Sequence, residues 1–179
     1  MPNLQPLQDL IARFESKGDY NIVYGGIPER YRPEAHVGKR LTAMTVDEVL
    51  GWQAYVTSNQ VGAVSSATGK WQIIRKTLEE FAPKAGLMGD DMFSPDNQDR
   101  IFECLLDRRG YQEFLTGALN ETDFANNIAR EWAAMPVVCD LKGAHRALKR
   151  GECFYAGDKV NKALVSPEEF LIAIREILA

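Results

Sequence analysis

Glu15 is the residue whose setting best suits proton-transfer chemistry. Leu4, Leu7, Leu10, Ile11 and Phe14 recur at helical spacing and predict an amphipathic helix over 4–15. Gly18 is placed to end it. Glu15 then stands in the last turn, at the edge of the apolar stripe beside Phe14. Burial raises a carboxyl pKa, and so does the negative end of a helix dipole. A carboxylic acid still protonated near neutral pH is what glycosidic bond cleavage needs, because the leaving oxygen must receive a proton. Taken alone, a surface glutamate at a helix end fits the same pattern and is the commoner case.

Hydrolytic glycosidases set a second carboxylate about 5–5.5 or 6.5–9.5 Å from the acid. Asp19, Glu29, Glu34 and Asp47 follow in the sequence, but none has a distinguishing context and each reads as a solvated surface charge. Cys104, Cys139 and Cys153 have no C-x-x-C spacing and there are 2 histidines, which argues against a zinc cluster or a disulfide framework. Three free thiols is the preferred reading over a Cys139–Cys153 pair. No metal and no cofactor are expected.

Composition bounds the partners. A net charge of −4 is too mild to point to nucleic acid or an anionic membrane, and the basic stretch Lys142–Arg150 is short. No apolar run approaches the roughly 18–20 residues of a membrane span. The opening Met1-Pro2-Asn3-Leu4-Gln5-Pro6 has neither the basic start nor the apolar stretch of a secretory signal, so synthesis in a cytoplasm without membrane insertion is expected. With 179 residues, 45% hydrophobic and 26% charged, the chain fits one globular domain, 1–179.

The elements that must position Glu15 are mostly helical. Tyr20-Asn21-Ile22-Val23-Tyr24 before Gly25-Gly26 predicts a strand ending in a turn. Residues 27–44 read as an irregular loop, with room for a second short strand at 40–43. Thr45-Val46-Asp47-Glu48 is a capping box opening a helix to about 57. Further helices are predicted over 72–81, from Ser94-Pro95 to about 109, over 122–134 before Pro136, and from Ser166-Pro167-Glu168-Glu169 to the end. The expected class is α+β, mostly α, with a small β-ribbon near the N-terminus.

Four segments in order resemble the lambda-type phage lysozymes. Glu15-Ser16-x-Gly18 followed by Tyr20–Gly26 resembles the family's opening, where a catalytic glutamate in a Ser-Glu-Gly context precedes a tyrosine-led strand ending in Gly-Gly. Ser65–Ile74 is similar to its run of small residues followed by Gly-basic-aromatic-Gln. Phe93-Ser94-Pro95-x-x-Gln98-Asp99 resembles the stretch opening its next long helix, and Ile128–Pro136 its late Ile-Trp-Ala-Ser-Leu-Pro segment. The ending Phe154–Ala163 looks like that of related phage muramidases.

The resemblance implies a lysozyme-like domain whose helical lobe and β-ribbon flank a cleft, acting on peptidoglycan glycan strands. It puts Glu15 on the catalytic glutamate and Gln72 on the glutamine lining the sugar cleft. Trp71 is then either a cleft wall or core. Tyr20 and Tyr24 offer rings for a sugar to stack on or are half-buried aromatics, and Tyr155 is a further wall; Trp132 reads as core. The family works without a second acid, the muramic acid's 6-hydroxyl closing on its own anomeric carbon, so a lytic transglycosylase is favoured over a hydrolytic muramidase. Lys17 and the long segment 30–65 depart from the pattern. A phage endolysin, monomeric, made in the host cytoplasm and acting in the periplasm, is the implied role; a virion module that binds peptidoglycan without cleaving it is the other.

Overall fold

The computed structural model describes residues 2–179. In chain order it contains helices α1 (Gln5–Glu15), α2 (Pro33–His36), α3 (Val46–Val56), α4 (Arg75–Lys84), α5 (Pro95–Arg108), α6 (Tyr111–Leu115) and α7 (Glu121–Ala129), strands β1 (Leu141–Lys142) and β2 (Ala147–Leu148), and helix α8 (Pro167–Glu176). The class is mostly α with a small antiparallel sheet, as the sequence predicts. Two compact units form: Ser16–Cys104, and the residues up to Glu15 together with Leu105–Ala179.

In the unit that includes α1, the apolar stripe buries Leu7, Leu10 and Ile11. α1 packs on α8, tied by an ion pair between Arg13 and Glu169 and by Asn3 N–H donating to Ile177 O at 2.9 Å. α7 packs on both α6 and α8, with the rings of Phe114 and Phe124 stacked at 4.5 Å. Asn120 caps α7, its side chain accepting from Asp123 N–H, and Ser166 caps α8 through Glu169 N–H. α7 stops at Ala129, five residues short of the predicted end, and residues 130–136 run on as turns. The β-ribbon lies here, Leu141 opposite Leu148 and Lys142 opposite Ala147, rather than near the N-terminus. Cys139 and Cys153 belong to this unit and, like Cys104, carry free thiols.

In the Ser16–Cys104 unit α3 packs on α4. The Thr45–Glu48 capping box forms as predicted, both of its hydrogen bonds present. The expected strand at 20–24 does not form: Val23 makes one isolated bridge to Thr68, with Tyr24 N–H donating to Ala67 O and Gly69 N–H to Ile22 O. Turns on either side, Ile22 N–H to Asp19 O and Ile27 N–H to Tyr24 O, use the groups a longer ladder would need. The second short strand is a 3₁₀ turn, Leu41–Ala43, pinned by Leu41 in the core and by Thr42 donating to Asn21 Oδ1 through both N–H (3.1 Å) and hydroxyl (3.0 Å). α4 starts three residues later than predicted because Gln72 is left-handed (φ 50°) and Ile73 bridges back to Thr68.

Buried Gln53 organises this part of the unit. Its amide NH2 is shared among Ser66 O, Thr68 Oγ1 and Ile73 O, each 2.9 Å from Nε2, and so holds the segment that carries Gln72.

Candidate active site

The six residues singled out from sequence fall in the two units separately. Glu15 and Tyr155 lie in the one containing α1; Tyr20, Tyr24, Trp71 and Gln72 lie in Ser16–Cys104.

Glu15 ends α1, and the chain leaves the helix through two left-handed residues, Lys17 (φ 56°) and Gly18 (φ 80°), with Gly18 N–H donating to Ser16 Oγ at 3.1 Å. The Glu15 carboxyl is half-buried and accepts a hydrogen bond from Ala134 N–H at 3.1 Å on Oε1. Removal from water raises its pKa above the ordinary carboxylate range; the Ala134 bond opposes this with the smaller effect. Cys153 is buried, and burial raises its thiol pKa, with the Glu15 charge adding a small contribution.

Ala134 was not foreseen as a functional residue, and it is firmly held. Its carbonyl accepts from Leu164 N–H at 2.9 Å. Three residues earlier Glu131, its side chain 9% exposed, takes Arg108 Nη2 on both oxygens (2.6 and 2.7 Å) and Arg109 Nε on Oε2 (2.8 Å). Tyr155 OH donates to Arg130 O at 2.7 Å, and Arg109 Nη2 reaches the same carbonyl at 3.3 Å. Burial and then the Glu131 charge raise the Tyr155 pKa. Tyr155, expected as a sugar wall, therefore spends its hydroxyl anchoring this segment. The signal for these contacts lay in Ile128–Pro136, which the sequence marked without assigning a task to its backbone.

In the other unit, Asp99 joins two of the predicted aromatics. Tyr20 OH donates to Asp99 Oδ2 at 2.7 Å and Trp71 Nε1–H donates to Oδ1 at 2.8 Å. Lys70 Nζ donates to Tyr20 OH at 3.0 Å and lies over the Tyr20 and Trp71 rings, 4.8 and 4.5 Å from their centroids. Desolvation, followed by Asp99, pushes the Tyr20 pKa up. Buried Gln98 donates to Tyr20 O and Phe93 O and accepts from Lys70 N–H. Gln98 and Asp99 are thus the organising pair, and the Phe-Ser-Pro-x-x-Gln-Asp stretch was their signal.

Trp71 is corrected as a ligand contact. Its ring is 1% exposed and stacks on Phe102 at 3.8 Å, which leaves no face for a sugar. Trp132 is core, as expected. The Tyr20 ring is half-buried under Lys70, and Tyr24, also half-buried, lies over Gly26, where an added Cβ would sit 2.4 Å from Tyr24 Cε1. That close approach requires glycine. Gln72 is half-buried, and its amide donates to Gly69 O at 3.0 Å.

Asp19, Glu29, Glu34 and Asp47, weighed as second carboxylates, are all exposed and lie in the Ser16–Cys104 unit. Asp19 Oδ1 accepts from Asn21 N–H at 2.8 Å. Among the described residues no group of three or more His, Cys, Asp and Glu is placed to hold a metal, and no helix is long and apolar enough to cross a membrane. No family model, curated protein or solved structure matches the chain.

Proposed function

We propose that the protein cleaves peptidoglycan glycan strands at the β-1,4 bond between N-acetylmuramic acid and N-acetylglucosamine, as a lytic transglycosylase with Glu15 as its acid and then its base. The observation that carries this reading is the Glu15 carboxyl itself: half-buried at a helix end, pKa raised by desolvation, and oriented by the Ala134 N–H. A carboxyl in that state is protonated where an ordinary glutamate is ionised, which is the form a proton donor needs.

In this mechanism Glu15 gives its proton to the N-acetylglucosamine O4 as the bond to the muramic C1 breaks. The muramic 6-hydroxyl then bonds to C1 and its proton passes to the Glu15 carboxylate, restoring the acid. The product is a 1,6-anhydro end, and no water is consumed. The resemblance to lambda-type phage lysozymes supports the substrate and the single-acid course. It also supports Gln72, Tyr20 and Tyr24 as glycan contacts, and a monomeric endolysin that acts on the wall from the periplasmic side.

The test is mass analysis of muropeptides after digesting purified Gram-negative sacculi with wild type and Glu15→Gln. Anhydro-muropeptides from wild type, reduced about 10²–10⁴-fold in the variant, are expected. Products one water heavier would overturn the transglycosylase course while keeping Glu15 as acid. No cleavage by wild type would overturn the enzymatic reading in favour of a binding module.

A further inference from the structure

The arginines of this protein are mostly paired with carboxylates. Arg13, Arg75, Arg108, Arg109, Arg146, Arg150 and Arg175 each face a glutamate within ion-pair distance. Of the five that do not, Arg32 and Arg40 stand together. Arg32 and Arg40 line one polar pocket of about 390 Å³ within the Ser16–Cys104 unit, and neither has a carboxylate partner. Arg32 makes only a long 3.5 Å bond from Nε to Ile27 O, which leaves its terminal nitrogens open. The same pocket is lined by Glu34, which makes no hydrogen bond or ion pair, and by Asp19 and Asn21.

The backbone beneath these charges is anchored. Arg40 precedes the 3₁₀ turn that Asn21 Oδ1 holds through Thr42. Arg32 enters α2 from a turn whose Tyr31 carbonyl accepts from Trp52 Nε1–H at 2.8 Å, and His36 at the end of α2 stacks on Tyr55 at 4.2 Å. The side chains are exposed but their origins are fixed, so little backbone freedom would be lost on binding.

We propose that this pocket binds a zwitterionic amino-acid group of the peptidoglycan peptide stem, its carboxylate on the Arg32 and Arg40 guanidiniums and its ammonium on Glu34. Two open guanidiniums suit a carboxylate, and an open carboxylate in the same pocket suits an ammonium. A Gram-negative stem carries both on its diamino acid. The inference rests on the proposed function, because the stem begins on the muramic acid whose C1–O bond is broken. It adds a reason for the long segment 30–65: that segment supplies both arginines.

The experiment compares soluble glycan strands carrying stems with the same strands stripped by an amidase, using wild type and the Arg32→Ala/Arg40→Ala double variant. Wild type is expected to show a KM about tenfold lower on stem-bearing strands, and the double variant to lose that preference while cleaving stripped strands like wild type. Equal KM on both substrates for wild type, or a preference that survives in the variant, overturns the stem site and leaves the function standing. No cleavage of either substrate by wild type overturns the function itself. If the double variant is inactive on stripped strands too, Arg40→Gln decides by the same comparison.

Discussion

The backbone N–H of Ala134 donates to Oε1 of Glu15 across 119 positions of sequence, joining the end of α1 to the turns that follow α7. Two opposing effects meet at this carboxyl. Burial raises its pKa, the Ala134 bond lowers it, and burial is the larger. The bond therefore orients the carboxyl while its pKa stays raised. A donor that only had to be protonated would do better with no such bond. One that must also aim its proton, and later accept one, gains from a fixed oxygen.

Glu131 sets the position of that N–H, because its ion pairs with Arg108 and Arg109 hold the turns three residues before Ala134. Glu131→Gln is expected to lower kcat about tenfold with KM little changed, the size of effect that small misplacement of an acid produces. Water reaching Glu15 would also lower its pKa, so the high-pH limb of the rate profile should move to lower pH. Rate–pH curves on soluble glycan strands check this. A variant that melts earlier but keeps the wild-type limb would assign Glu131 to stability alone.

Asp99 carries a structural load that Asp99→Ala exposes. Removing it leaves the indole N–H of buried Trp71 and the Tyr20 hydroxyl without their acceptor. The expected destabilisation is about 2–4 kcal/mol, read from urea unfolding, since a buried donor left unpaired bears its full desolvation penalty. Asp99→Asn keeps one acceptor oxygen and should lose roughly half as much.

The helices were legible because their signals are local. Thr45 and Glu48, Ser94-Pro95 and Ser166 each announce a helix start within four residues, and the Leu7–Leu10–Ile11 stripe marks the buried face of α1. The β reading of 20–24 failed because β-branched and aromatic composition reports fit to a pleated surface and not whether a partner strand exists. Here the partner is the single residue Thr68. The Glu15 position was readable from the helix period, whereas its hydrogen-bond donor is a backbone N–H, which no side-chain pattern encodes. Trp71 shows a further limit: an aromatic at a turn has the same spacing whether it packs inward or lines a cleft, and only its contact with Phe102 decides.

Lys17 and Gln72 both hold left-handed backbone, φ 56° and 50°, which a side chain with a Cβ adopts at some strain. Replacing Lys17 with glycine is expected to stabilise the fold by about 0.5–1 kcal/mol in urea unfolding, whereas Gln72→Gly also loses the bond to Gly69 O and should be close to neutral. The two should part in function. Lys17→Gly is expected to leave KM for glycan strands near the wild-type value, and Gln72→Gly to raise it several-fold, as strain kept at a ligand contact predicts. Equal KM for both variants would remove Gln72 from the glycan site.

Glu15→Gln should reverse the usual sense of a damaging mutation once the pH is high enough. In the folded protein the Glu15 pKa is raised, so the wild-type side chain contributes most below its unfolded-state pKa. That contribution is lost as pH rises through the folded-state value, where an ionised carboxylate must be kept out of water. Glutamine has no proton to lose, and its side-chain oxygen can still accept from Ala134 N–H. Wild type and variant should therefore be similar in stability at about pH 4, and the variant should gain steadily through the window between the two pKa values. Above the folded-state value the difference should level off in favour of the glutamine variant, the trade between stability and activity that the proposed role of Glu15 predicts. Urea unfolding of both proteins at pH 4 and pH 8 measures it directly. Titrations shared by the two proteins cancel in the difference, so a stability gap unchanged between these pH values would mean that Glu15 is not held above its ordinary pKa.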